Sequence, residues 1–262
     1  MNPMMAAVLF LSASPSFAQD QVDEHVGVRV REWFARMSGT LEADGGTGLS
    51  TGISLESDLG LGHRNLTHEV QVYGRIPLVG RLVAGWWQAE DSGSQTLSRD
   101  LEFAGQTFTA STAVSSSATL DVFYLAYEFV FPTIPLGDLV QLELALQVSG
   151  RGFHGTGSIV APGFSGSDGG WVGFPTLGGH VTLGILSWIR IETEVLGMAF
   201  SYGVDRMSYF EAYVEVVAQP LPWLFAGVGY KYASLKIQHL GSSLFDFEVG
   251  VSGIYITAGL RF

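Results

Sequence analysis

Apolar and polar residues alternate along this chain with a period of two. Over 141–149, Leu142, Leu144, Leu146 and Val148 fall on one side and Gln141, Glu143, Ala145, Gln147 and Ser149 on the other. The final stretch does the same: Ile254, Ile256, Ala258, Leu260 and Phe262 oppose Gly253, Tyr255, Thr257, Gly259 and Arg261. A helix would scatter either set around its axis, whereas a strand gives each its own face. The division recurs where Glu69, Gln71 and Arg75 oppose Val70, Val72 and Ile76, and where His180 and Thr182 oppose Val181, Leu183 and Ile185. It recurs again where Arg190, Glu192 and Glu194 oppose Ile189, Ile191 and Val195, and where Glu211 and Glu215 oppose Phe210, Ala212, Val214 and Val216. One segment reads two ways. Val22, Val26, Val30, Phe34 and Met37 lie near helical spacing, but Trp33, Ala35, Met37 and Leu41 also alternate with Phe34, Arg36, Ser38, Thr40 and Glu42. The alternation predicts a strand over 29–43, with an amphipathic helix as the alternative.

Two kinds of connection punctuate the alternation. One is compact and rich in Pro or Trp: 77–80, 132–138, 186–188 and 220–223. The other is longer and rich in Gly, Ser and Asp, as in 42–48 and, most plainly, 152–170, which reads as a flexible loop. Strands are expected near 29–43, 66–77, 81–96, 116–131, 139–151, 172–186, 188–201, 208–219, 223–237 and 246–262. Compact turns at one end and long loops at the other predict an all-β fold, a single antiparallel transmembrane β-barrel of about ten strands, with twelve or eight as the alternatives. Thr51–Leu59 alternates too, but counting it would make the strand number odd. Phe103–Phe108 reads as a hairpin tip that extends strands three and four above the membrane.

Composition agrees. The 262 residues are 47% hydrophobic and only 15% charged, yet beyond the N-terminus no apolar run reaches the ~18 residues of a spanning helix. Absence of Cys excludes disulfides and thiolate chemistry, and a net charge of −12 argues against nucleic acid as a partner. Ala6–Ala18, with Val8–Leu11 as its apolar core and Ser16-Phe17-Ala18 at its end, reads as a signal peptide, so residues 1–18 are expected to be removed and 19–262 to form the barrel domain. Aromatics sit where two interfacial girdles belong: Phe129, Phe131, Trp188, Trp223 and Phe262 at the compact-turn end, Tyr202, Tyr209 and Phe210 at the loop end.

A last strand whose apolar face ends in Phe262 resembles the closing strand of bacterial outer-membrane β-barrels, although Thr257 stands where that family usually has Gly and Gly259 follows it. The resemblance implies short periplasmic turns, long extracellular loops and residence in the outer membrane of a Gram-negative bacterium. It also implies lipid and lipopolysaccharide as surroundings, and recognition of Tyr255, Leu260 and Phe262 by the barrel-assembly machinery. The DLGL at Asp58–Leu61 and the FxGxxF at Phe103–Phe108 resemble a widespread group of uncharacterised outer-membrane proteins, which implies no activity.

The polar faces then line a lumen. Arg75, Arg190, Lys231 and Arg261 are its expected cations, paired with Glu69, Glu143, Glu192, Glu194, Glu211 and Glu215, because isolated charges in a narrow interior are costly. Such a lumen is either a salt-bridged plug or a narrow, cation-favouring path for a small solute. Among six His residues, His154, with Ser158 nearby in GRGFHGTGS, and His180 are the candidate bases of a lipid A- or phospholipid-modifying enzyme. Neither lies in a catalytic motif. No spacing suggests a metal centre, and no cofactor is expected; Asp44, Asp58, Asp91 and Asp168 offer only scattered acidic sites for Ca²⁺. Three readings follow: a structural surface protein or passive pore, a lipid-modifying enzyme, or an adhesin acting through its loops.

Overall fold

The computed structural model describes residues 26–43, 52–76, 80–103, 106–202, 205–238 and 245–262. The expected signal peptide, His25, Asp44, His239 and most of the 42–48 and 77–80 turns lie outside them.

Ten long strands form one closed antiparallel barrel: β1 (Val26–Ala43), β2 (Arg64–Ile76), β3 (Gly80–Thr96), β4 (Ala113–Val130), β5 (Gln141–Ala161), β6 (Phe164–Leu186), β7 (Ile189–Tyr202), β8 (Asp205–Leu221), β9 (Leu224–Gln238) and β10 (Phe245–Arg261). Each pairs with its neighbours in sequence, and the ring closes between β1 and β10, from Gly27 opposite Arg261 to Ala43 opposite Phe245. At the compact-turn end the Val26 N–H donates to the Phe262 carbonyl (3.1 Å), and the Val26 carbonyl accepts from the Phe262 N–H (2.8 Å). The ambiguous segment is thus β1, a strand. As a strand it fills the seam; a helix would leave both edges of the ring unpaired.

Polarity is inverted relative to a water-soluble protein. Leu125 and Leu146, on the outer face, are 62% and 57% exposed, while Arg31, Lys231 and Glu215, inside, are at most 1% exposed. An apolar exterior around a polar, charged interior is stable only where hydrocarbon replaces water outside.

Lumen-facing aromatics pack on cross-strand glycines. Tyr124 lies over Gly85 and Tyr255 over Gly229, each pair in register on adjacent strands. A Cβ at Gly85 would stand 2.8 Å from Tyr124 Cε1. The missing side chain makes room for the ring, and the ring covers the bare backbone.

Three expectations need correction. Residues 152–170 are not a loop: β5 and β6 run on through them, in register up to Ala161 opposite Phe164. The turn is Pro162-Gly163, with Gly163 at φ +82°, as a proline-glycine turn requires. Abundant glycine had hidden the alternation that Arg151, Phe153, Ile159 and Ala161 continue on the inner face. Tyr209 points into the lumen and not to the girdle, 3% exposed, while Phe210 faces outward; the side chain of Tyr202 lies outside the described set. Finally, the hairpin expected to stand above the membrane packs into the loop-end core, and the unassigned 52–61 segment joins it there. Ile53–Ser54 pairs with β1, the hairpin Leu101–Phe103/Gln106–Phe108 folds over, and Ile53, Leu55, Leu59, Leu61, Phe103 and Phe108 join the buried core.

Ladder heights are unequal. Pairing reaches Thr96–Ala113 between β3 and β4 and Ser115–Val160 between β4 and β5, but stops at Leu177–Gly197 between β6 and β7. With 21 and 23 residues, β5 and β6 far exceed the ~9–11 needed to span a bilayer. One side of the barrel therefore rises as a wall at the loop end.

Candidate functional site

The lumen has three storeys. At mid-height, strand alternation brings cations and carboxylates from six strands into one chain of contacts. Arg190 binds Glu192 (2.5 Å), which binds Arg29 (2.9 Å), which lies 3.8 Å from Glu215. Arg31 bridges Glu215 (3.2 Å) and Glu69 (3.0 Å); Lys231 bridges Glu69 (3.0 Å) and Glu211 (3.3 Å), and Arg151 ends the chain on Glu211 (3.1 Å). Tyr124, Tyr255 and Tyr209 donate their hydroxyls to Glu69, Glu215 and Glu211 respectively. Aromatic faces finish the enclosure: Arg31 lies 4.6 Å from the Tyr213 ring centre, Arg151 4.6 Å from that of Tyr124, and Lys231 4.6 Å from that of Trp33. The carboxylates thus have partners on several sides, which buried charge demands.

Of the lumen residues expected from sequence, Glu69, Arg190, Glu192, Glu211, Glu215 and Lys231 are in this chain. Arg75, Glu143, Glu194 and Arg261 line the cavity below it instead. Arg29, Arg31 and Arg151 were missed, although the first two share the parity of Trp33 and the third that of Ser149. Their alternation was legible: the expected strands 29–43 and 139–151 already include all three, at or near a strand end.

The loop-end storey is apolar. Trp33 and Trp87, their ring centres 5.5 Å apart, floor it, and the inward-folded segments fill it. Asp58 fastens this stopper, accepting from Arg99 (2.8 Å) and from the Ser54 N–H (2.9 Å). Burial alone would raise the Asp58 carboxyl, but these two donors and the guanidinium charge hold it below its ordinary value.

Below the ion chain a cavity of about 100 Å³ opens at the compact-turn end. There Arg81 binds Glu128 (2.6 Å), and His180 stands between Arg81 and Thr182. Glu194 lies opposite His180 in the β6–β7 register.

On the outer face a polar row crosses six strands in register: Glu32, His68, Gln88, Asp121, His154 and Trp171. His68 meets Glu32 at 2.6 Å, Gln88 donates to Asp121 (2.9 Å), His154 meets Asp121 at 3.5 Å, and Trp171 stacks on His154 at 4.5 Å. Polar side chains beneath no further apolar band mark the edge of the hydrocarbon on β3–β6. His154 and Ser158 do not form a catalytic pair. Four residues apart on one strand, they are separated by about 13 Å, and the Ser158 hydroxyl bonds that of Ser117 at 2.8 Å. Tyr255 faces the lumen, while Leu260 and Phe262 face outward.

An inverted, closed barrel with compact turns at one end decides the class. The chain has the architecture of a bacterial outer-membrane β-barrel. Solved structures similar to it include the outer membrane protease OmpT from Escherichia coli (TM-score 0.48, 9% identity, covering 92% of this chain and 97% of that one). The translocator domain of autotransporter NalP from Neisseria meningitidis gives a TM-score of 0.38 at 12% identity over 99% and 97% of the two chains. Ail, the attachment invasion locus protein of Yersinia pestis, gives 0.36 at 12% over 91% and 99%. No family model and no curated protein matches this chain.

Proposed function

We propose that the protein is a non-enzymatic, non-conducting barrel of the Gram-negative outer membrane, a structural surface protein that carries the β3–β6 wall outward. The observation that supports this is the doubly filled lumen, with the ion-paired chain at mid-height and the apolar stopper above it. An ion moving through would have to displace buried pairs and then cross packed Trp, Leu and Phe side chains, a barrier with no solvated path.

The test is conductance of the refolded chain in a planar bilayer, with folding verified by heat-modifiable gel mobility. Silence is the expected result. Removal of 100–109 together with Lys231→Met should open the lumen where either change alone does not. Stable cation-selective openings of the unaltered chain would reinstate the pore. The enzymatic reading has its own check, because Asp121–His154 faces the membrane edge. An acyl-chain change in lipid A from expressing cells, abolished by His154→Ala, would overturn the scaffold reading.

A further inference from the structure

The cavity at the compact-turn end contains a grouping that no spacing along the chain joins. Glu128 on β4, His180 on β6 and Glu194 on β7 each present a ligand atom, all within 4.8 Å of one another, and all three residues are buried. They come together because small Ala145 on β5 lies opposite His180 and leaves the space across which Glu128 reaches. We propose that these three side chains form a binding site for a divalent first-row transition-metal ion, Zn²⁺ being the representative, reached from the compact-turn end of the barrel.

Three observations carry it. First, Glu194 is 6% exposed, lines the cavity, and makes no hydrogen bond or ion pair with any described residue. A buried carboxylate without a bound cation is costly, and each carboxylate of the ion-paired chain above has one. Second, the imidazole is set in the ligating tautomer. Arg81 can only donate, so Nδ1 of His180, 3.4 Å from the guanidinium, is the acceptor; Nε2 then carries the proton and donates to Thr182 Oγ1 at 3.2 Å. A histidine whose far nitrogen is held by a hydrogen bond is the arrangement that metal ligation uses, and here Nδ1 lies 4.0 Å from Glu128 Oε1. Third, one nitrogen and two carboxylate oxygens suit Zn²⁺ and its neighbours, and the cavity leaves a further coordination position to solvent.

Arg81 is the resident cation. It holds Glu128 and touches Nδ1, yet its side chain is 19% exposed toward the mouth, so it can leave when a metal arrives. Ligand lengths of ~2.0–2.2 Å require the two carboxylates to close by about 1 Å around the ion. Arg29 and Arg190 also face the cavity but are engaged by Glu192.

The experiment is calorimetric titration of Zn²⁺ into the refolded chain carrying no affinity tag, with folding of each variant confirmed by heat-modifiable mobility. One ion per chain should bind. Affinity should fall more than about 10-fold in His180→Ala and in Glu194→Gln, and should rise in Arg81→Gln, which removes the competing cation and none of the ligands. That opposite response separates ligation from simple damage to the cavity. No binding in the unaltered chain, or binding unchanged in both His180→Ala and Glu194→Gln, would overturn the proposal, the second result pointing to surface histidines such as His63 and His68.

Discussion

Arg31 shows how much a single side chain carries here. It reaches two carboxylates and two aromatic faces while only 1% exposed. Arg31→Met leaves Glu215 and Glu69 with less compensation than burial requires, and the expected loss is about 3–5 kcal/mol. Arg64→Met, an exposed change on the same side of the barrel, should stay within about 0.5 kcal/mol. Guanidinium unfolding of both variants in micelles measures the contrast. Gly85→Ala acts by the opposite route, pushing a methyl group into Tyr124 and displacing the hydroxyl that serves Glu69. Overpacking of this kind costs about 1–3 kcal/mol. At the stopper, Asp58 sets a pH dependence. Its folded value lies below the ordinary one, so its stabilisation is complete above the unfolded carboxyl value of about 3.9. It is lost as pH falls through the lower folded value. Proteolysis of the 52–61 segment should accelerate on acidification in the unaltered chain and be fast at every pH in Asp58→Asn.

At the scale of elements, the strands themselves were legible, because lipid on one side and a charged lumen on the other enforce strict alternation. β1 could be told from a helix only by that alternation, and it pairs on both edges. What was not legible was the upper course of β5 and β6. Above the His154–Trp171 row the outward positions hold Gly, Ser and Thr apart from Val160, since beyond the hydrocarbon no apolar face is needed, and the polar composition of a loop is then indistinguishable from that of a solvated strand. Hydrogen exchange decides the matter: amides of 152–161 and 164–170 should exchange as a protected ladder, with Gly163 and its neighbours the fast exception. The metal grouping was hidden for a different reason. Glu128, His180 and Glu194 come from three strands, and no spacing rule joins them before the barrel's register is known. His154 and Ser158, close in sequence, end up far apart by the same geometry.

Seen whole, the molecule has a closed middle and two unlike ends: a wall above, and a small polar chamber below. The closing seam gives this arrangement a direction in time. β1 is made first, yet its ladder to β10 joins residues more than two hundred positions apart, so the ring is finished last. The same strand contributes Arg29 and Arg31, whose carboxylates belong to β2, β7 and β8. An unclosed sheet that has released β1 holds Glu215 without its arginines and leaves Glu192 only Arg190 of its own strand. Closure thus neutralises the interior as it removes the sheet's edges. A barrel shut in the wrong register would bury unmatched charge, so the ion chain favours the native register over its neighbours.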